Sequence, residues 1–429
     1  MVPIKLKYGK EELELKIDEN NLLNILEEKK TVPVSDERQS VLDAIENPIG
    51  APALREIIKS GEKVVVVASD ITRSVKSQVV IPVLISELNR CGIGDDDITI
   101  LVATGTHRGH TVEEHEYMFG REIVSRIKII DHNSRAPETL TFVGKTSRGT
   151  PVYVNKAVVE ADRVILTGGI IYHSMAGFGG GRKSICPGVC GYDTIQHNHK
   201  LMLNPIEKGG GLDPRVGPGA VRENPMAEDM TEIAGMVRPD FIVNVILNDE
   251  GDLVKVVAGD YNRAFEEGCR FARNYFSTTV KEPADALILS CGGYPKDIDL
   301  YQATKAVENA MEVVKDGGMV VLLAECPDGI GHDGFYNIIT DHKTRREREE
   351  ALWQEFTIAG AVGYILTLGM ERFDVVLVSK LPEHLVREMG IIPAGNLIEA
   401  VEMIKSKLGE GFKAYVIPHA STVVPFIEK

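Results

Sequence analysis

The run Glu62–Asp70, EKVVVVASD, sets four valines in succession and leaves no polar face for water, so it predicts a strand buried on both sides. Such a strand belongs in a sheet covered by helices on both faces. The chain then alternates accordingly. An amphipathic helix near Val80–Arg90 precedes a second buried strand, Asp97–Ala103 (DITILVA). A helix near Val112–Arg126, a strand Ile127–Asp131 and a strand Ala161–Thr167 (ADRVILT) follow. A second alternation starts at Ala284 (ADALILSCGG). It continues with a helix Ala303–Val314, strands Gly318–Ala324 and Phe373–Val378, a helix Leu397–Lys407 and a strand Lys413–Ile417. The segment Val256–Val280 between them is largely helical by pattern. The 429 residues fit two to three domains at about 150 per domain. The fold class expected is α/β, with two Rossmann-like domains of mostly parallel sheet, 1–270 and 271–429. The active site is expected in the interdomain cleft, at the carboxyl ends of the strands.

Composition excludes several functions. Acidic residues outnumber basic ones, 63 to 48, for a net charge of −15, which argues against coating nucleic acid or anionic membrane. No apolar run reaches the roughly 18 residues that a membrane span needs. The amino terminus, MVPIKLKYGKEELELKI, has no signal-peptide core. Six cysteines scattered from Cys91 to Cys326 form no framework and suit a reducing cytoplasm. The 41 glycines are the unusual feature, and several cluster at predicted strand ends.

Asp70-Ile71-Thr72-Arg73 follows the first buried strand. Asp, Thr and Arg at a strand tip can position an anion, with Arg as a planar fork. A helix-capping Asp beside a surface Arg fits the same residues. Ala103-Thr104-Gly105-Thr106-His107-Arg108 follows the next strand and places His107 where a base can meet substrate, or where a plain loop histidine sits. His110 reads as a surface residue.

The densest motif is Gly168-Gly169-Ile170-Ile171-Tyr172-His173 followed by Gly177-Phe178-Gly179-Gly180-Gly181-Arg182-Lys183-Ser184. Lys183 and Ser184 match a phosphate-binding GxxxxGK[ST] loop, but Arg182 replaces its last glycine, where the backbone must approach phosphate without a Cβ. Otherwise the motif presents Lys183 on a glycine bed beside a cationic Arg182, available for covalent chemistry or for seating a flat cofactor. His197-Asn198-His199 offers a pair of imidazoles if extended and a single one if helical. Cys186 and Cys190 read as ordinary buried cysteines. Gln302 and Lys305 share one face at a helix start, either as a carboxylate receiver or as a solvated surface, with Tyr301 beside them as a candidate pocket wall.

Taken in order, D-x-T-R, A-T-G-T-H-R, H…G-F-G-G-G-R-K, H-N-H and L-Y-Q-A-T-K resemble the nickel-dependent lactate racemase family. The match runs from Asp70 to Lys305, most of the chain. The resemblance implies a 2-hydroxyacid racemase or epimerase that inverts C2 by proton-coupled hydride transfer. It implies a nickel-pincer cofactor, pyridinium-3,5-bisthiocarboxylic acid mononucleotide, covalently attached to Lys183. His199 would be the nickel ligand, and His107 and His173 the paired acid/base histidines. Asp70, Ile71, Thr72 and Arg73 would contact cofactor and substrate, Gln302 and Lys305 the substrate carboxylate, and Tyr301 the substrate. Cofactor-biosynthesis proteins are implied as partners, and a 2-hydroxyacid as the small-molecule substrate.

At Ser74 the sequence departs from the proline common in the family. The substrate therefore stays open between lactate and a larger 2-hydroxyacid such as malate, 2-hydroxyglutarate, phenyllactate or an aldonic acid. Two other classes compete: a pyridoxal phosphate Schiff base on Lys183, and a non-enzymatic nucleotide- or phosphate-binding module.

Overall fold

A computed structural model describes residues 2–428. The chain forms two compact units: one of residues 31–202 and 214–274, the other of residues 2–30, 203–213 and 275–428. A single cut at 270 therefore misplaces 2–30 and 203–213.

The first unit is built on a six-stranded sheet in the order Leu253–Gly259, Phe241–Leu247, Arg163–Gly169, Val64–Ser69, Ile98–Ala103 and Lys128–Asp131. Neighbours pair in parallel except at the Leu253–Gly259 edge, which is antiparallel. The valines of EKVVVVASD are no more than 5 % exposed, and each contributes roughly 1.5–3 kcal/mol relative to an exposed side chain. Val64, Val66 and Ala68 pack with Ile81, Leu84 and Leu88 of the helix Ser77–Arg90. From Val64–Ser69 the chain first runs outward through Ile98–Ala103 and Lys128–Asp131. It then resumes on the other side with Arg163–Gly169. The order thus reverses beside Val64–Ser69, and at such a reversal the carboxyl ends of parallel strands leave a crevice for ligands.

The second unit carries its own six-stranded parallel sheet, in the order Ile392–Ala394, Asp374–Val378, Val314–Leu323, Ala284–Ser290, Ala414–Ile417 and Leu22–Ile25. The amino terminus joins this unit for a reason visible in its alternation. The hairpin Val2–Tyr8 and Glu11–Ile17 turns Ile4, Leu6, Leu15 and Ile17 into the same core as Ala286, Ile288 and Val321. Three expected helices are also revised. Val256–Val280 divides into the edge strand Leu253–Gly259, a helix Arg263–Phe276 and a strand Ser277–Val280. Val112–Arg126 breaks at Gly120, whose φ is +88°. Ala303–Val314 is two short helices, Leu300–Ala303 and Lys305–Ala310, and at Val314 the next strand begins. Among the described residues no helix is long and apolar enough to cross a membrane.

Candidate active site

Register brings the first two motifs of the first unit together. Ser69 pairs with Ala103, so the turns leaving these neighbouring strands start side by side. Asp70 is buried, and its Oδ2 lies 2.5 Å from His107 Nδ1, while Thr72 Oγ1 donates to its Oδ1 at 2.7 Å. Burial pushes the Asp70 carboxyl up, but His107, the Thr72 hydroxyl and the Arg73 charge outweigh it and hold it below its ordinary value. The carboxylate therefore accepts, and the shared proton belongs to His107 Nδ1. That assignment leaves the lone pair of the neutral ring on Nε2. The His107 side chain is 44 % exposed against 4 % for Asp70, so a buried orienter aims an accessible base. The Arg73 amide donates to the Asp70 carbonyl at 3.1 Å, which closes the turn and leaves the Arg73 side chain exposed.

His173 is held the opposite way. The short strands Tyr172–His173 and Gly177–Phe178 form a hairpin that sets His173 across from Gly177. The amides of Met175 and Ala176 donate to His173 Nδ1 at 3.2 and 3.1 Å. These donors assign the proton of the neutral ring to Nε2. His107 and His173 thus take opposite tautomers.

The glycine-rich segment lies flat on strand ends because no side chain fits. Gly177 has φ +77°, and a Cβ there would sit 2.3 Å from the Ala220 carbonyl oxygen. Gly180 has φ +74°, and its Cβ would meet Asn244 Oδ1 at 2.8 Å and the Gly169 carbonyl at 2.9 Å. Asn244 Oδ1 instead accepts the Gly181 amide at 2.8 Å, and Ser184 Oγ donates to the Thr167 carbonyl at 2.9 Å. The single 3-10 turn Gly181–Ser184 between these pins carries a half-buried Lys183.

Arg182 departs from expectation. It is not a cation beside the Lys183 amine but a core pin, 2 % exposed. Its Nε and one terminal nitrogen donate to the Ala227 and Ala176 carbonyls, and its guanidinium lies over Phe265. Burial lowers its pKa to about 10.

His197-Asn198-His199 lies in the helix Tyr192–Lys200, so its imidazoles diverge. His197 is exposed and His199 buried. His199 Nδ1 donates to the Ile195 carbonyl at 3.0 Å, which places its lone pair on Nε2. Burial first, then the Lys183 charge, lower its pKa to about 3. His199 is therefore a neutral, buried imidazole whose lone pair is on Nε2. Cys186 and Cys190 are fully buried.

In the second unit, Asp299 Oδ1 caps the helix start by accepting the Gln302 amide at 2.6 Å. The Lys305 ammonium donates to Gln302 Oε1, so the pair shares one face, and the Tyr301 ring lies 5.9 Å from those of His332 and Phe335.

Sequence reading missed two supports. Asn244, the one polar residue in the strand FIVNVIL, could have been flagged by that isolation. His110 is not at the surface: its side chain is 2 % exposed and bonded to Asp131. Nothing in the spacing announces that contact.

An imidazole aimed by a buried carboxylate at the strand ends of an α/β sheet suits proton transfer on a small substrate, as in an isomerase. Comparison with known proteins narrows the class. Residues 8–210 match the lactate racemase N-terminal domain and residues 279–424 the lactate racemase C-terminal domain. The lactate racemase of Thermoanaerobacterium thermosaccharolyticum is 33% identical over 99% of both chains. That of Lactiplantibacillus plantarum is 32% identical over 99% of this chain and 100% of its own. The structure of the lactate racemase apoprotein from T. thermosaccharolyticum superposes with a TM-score of 0.90, covering 99% of this chain and 100% of its own at 32% identity. A Thermotoga maritima protein shares the fold at 18% identity, with a TM-score of 0.67 over 92% of this chain and 100% of its own. The chain belongs to the lactate racemase family.

Proposed function

We propose that this protein racemises a 2-hydroxyacid, with lactate, the substrate its relatives are named for, as the first candidate. The observation that carries the reading is the Asp70–His107 pair, a buried carboxylate that leaves a partly exposed imidazole with its Nε2 lone pair outward. We assign His107 and His173 as the acid/base pair. Arg73, Gln302 and Lys305 are assigned to the substrate carboxylate, with Tyr301 beside them.

The residues fit the family's nickel-pincer cofactor. Gly177 packed on the Ala220 carbonyl and Gly180 on Asn244 and the Gly169 carbonyl fix the backbone beside Lys183, whose amine would form the covalent link. His199, neutral with its lone pair on Nε2, would ligate nickel. Asp70, Ile71, Thr72 and Arg73 would border the group. When bound, it supplies a reversible acceptor for the C2 hydride.

The chain's own residues do the rest. His107 Nε2 takes the hydroxyl proton as C2 becomes planar, and Asp70 stabilises the imidazolium this creates. The cationic contacts hold the carboxylate while the planar 2-oxoacid reorients. His173 is assigned to the proton on the other face; its neutral ring presents Nε2–H there, and it serves as the base for the other enantiomer once its proton moves to Nδ1, away from the Met175 and Ala176 amides. The cofactor would come from biosynthesis proteins in the cytoplasm.

The test is a racemisation screen across lactate, malate, 2-hydroxyglutarate, phenyllactate and aldonic acids, using protein co-expressed with the cofactor-making proteins. Intact mass should show an adduct that Lys183→Ala lacks. An adduct persisting in that variant, or adduct-bearing protein inert on every acid, would refute the reading.

A further inference from the structure

We infer that His110, set by Asp131, is a positioning residue that fixes the Asp70–Arg73 turn through the Ile71 amide; this deepens the racemase reading and rests on it. The Ile71 amide donates to His110 Nε2 at 3.2 Å. On the other side of the ring, His110 Nδ1 lies 2.8 Å from Asp131 Oδ1. Asp131 also accepts the His110 amide through Oδ2 at 2.8 Å, and His115 Nε2 lies 3.2 Å from its Oδ1. His115 stands on the helix Val112–Phe119, and Asp131 ends the strand Lys128–Asp131.

His110, His115 and Asp131 place three donor atoms within 4.8 Å of one another, spacing that would also suit a metal ion. The Ile71 amide decides against it. A neutral imidazole bound to a metal through Nδ1 carries its proton on Nε2, which would face the Ile71 N–H donor to donor. The proton therefore sits on Nδ1, where Asp131 accepts it, and Nε2 is kept as an acceptor for the loop. Burial pushes the Asp131 carboxyl up, but its bonds from His110 and His115 hold it below its ordinary value, so it remains an acceptor.

Ile71 lies between Asp70, which orients His107, and Arg73. A carboxylate thus sets an imidazole twice in this unit: Asp70 aims a base at substrate, and Asp131 aims an acceptor at the loop that carries Asp70. The chain could hold this turn with any acceptor. The arrangement is specific in requiring one tautomer.

That requirement supplies the experiment. In Asp131→Asn the oxygen must still accept the His110 amide, so the new NH2 faces His110 Nδ1 and drives the proton to Nε2, against Ile71. In His110→Gln the side-chain oxygen reaches the place of Nε2 and accepts from Ile71 with no tautomer to set. Hydrogen exchange of the full-length chain, read by mass spectrometry on the peptide containing Ile71, should be faster in Asp131→Asn and near wild type in His110→Gln and in the double variant. In cofactor-loaded protein, kcat/KM should fall about tenfold in Asp131→Asn, the loss of one part-buried hydrogen bond, and recover in the double variant. A purely structural Asp131 would give no such rescue. Wild-type exchange in Asp131→Asn would overturn the inference, as would a double variant no better than Asp131→Asn. Stoichiometric Zn2+ binding that Asp131→Asn abolishes would overturn it too, in favour of a metal. If loaded wild type racemises no 2-hydroxyacid, the functional reading fails, and the exchange of Ile71 still decides this one.

Discussion

Replacing Asp70 by Asn keeps the volume of the side chain and inverts what it tells His107. Thr72 Oγ1 donates to one carboxylate oxygen at 2.7 Å and His107 Nδ1 lies 2.5 Å from the other. In the amide, the oxygen goes to the Thr72 hydroxyl and the NH2 turns to His107. The imidazole must then accept at Nδ1 and carry its proton on Nε2, so the lone pair that takes the substrate proton is lost. A hydrogen bond to a charged group is worth roughly 1.5–3 kcal/mol, which alone predicts a loss of about 10- to 150-fold in kcat/KM. The wrong tautomer deepens the loss toward the ~10,000-fold known for an Asp→Asn change in a serine protease triad. Stability should change less. Burial disfavours the Asp70 charge while His107 and Thr72 favour it, and these effects offset in part. The assay is initial racemisation rates of cofactor-loaded protein by chiral chromatography, with long-range 15N correlation of His107 to read its tautomer. A rate within about threefold of wild type, less than one such hydrogen bond is worth, would refute the argument, as would an unchanged Nδ1–H signature.

Other outcomes are expected from the same geometry. Gly177→Ala adds a positive-φ penalty and a clash with the Ala220 carbonyl, so urea unfolding should show a loss of about 2–4 kcal/mol; an unchanged midpoint would mean the hairpin holding His173 yields easily. His132 is neutral in the fold, burial lowering its pKa to about 4, so the unfolded chain binds its proton first as pH falls from about 6.5. Its stability contribution is full above that pH and is lost on the way down to about 4, at most about 3 kcal/mol; melting at pH 7.5 and 5 should show a flatter dependence in His132→Gln, and an equal slope would exclude it. Arg73→Ala and Lys305→Met should each raise KM about tenfold with kcat less affected, as loss of a charged hydrogen bond to carboxylate predicts; an unchanged KM would count against either contact.

Much of this was legible in the sequence, and the limits have physical causes. The buried strands could be read because nothing but a covered sheet accommodates VVVV or ILVA, and the motifs follow them directly. The amino-terminal hairpin also advertises its alternation, but which core it covers depends on pairing across more than 250 residues, which no local pattern carries. Arg182 misled because a cation next to a lysine reads as a field on that lysine. Two carbonyls and the Phe265 face make burial the better place for it. Tautomers are invisible to sequence, since they depend on which backbone amide meets which ring nitrogen. His107 and His173 look alike in the chain and are set oppositely in the fold.

That opposition has a consequence peculiar to racemisation. Mirror-image substrates have equal free energies, so the equilibrium constant is one and kcat/KM must be the same from either enantiomer, however unlike the two histidines are. The asymmetry between an Nε2 acceptor at His107 and an Nε2–H at His173 can therefore appear only as unequal kcat balanced by equally unequal KM. Asp70→Asn, though it touches one histidine, must depress kcat/KM for both enantiomers by the same factor. An aldonic acid has further stereocentres, so inversion at C2 interconverts diastereomers and the equality lapses. Equal kcat/KM ratios that survive Asp70→Asn would place the substrate among acids with a single stereocentre, lactate included. A ratio away from one for the natural substrate would move it to the sugar acids without changing the assignment of any residue.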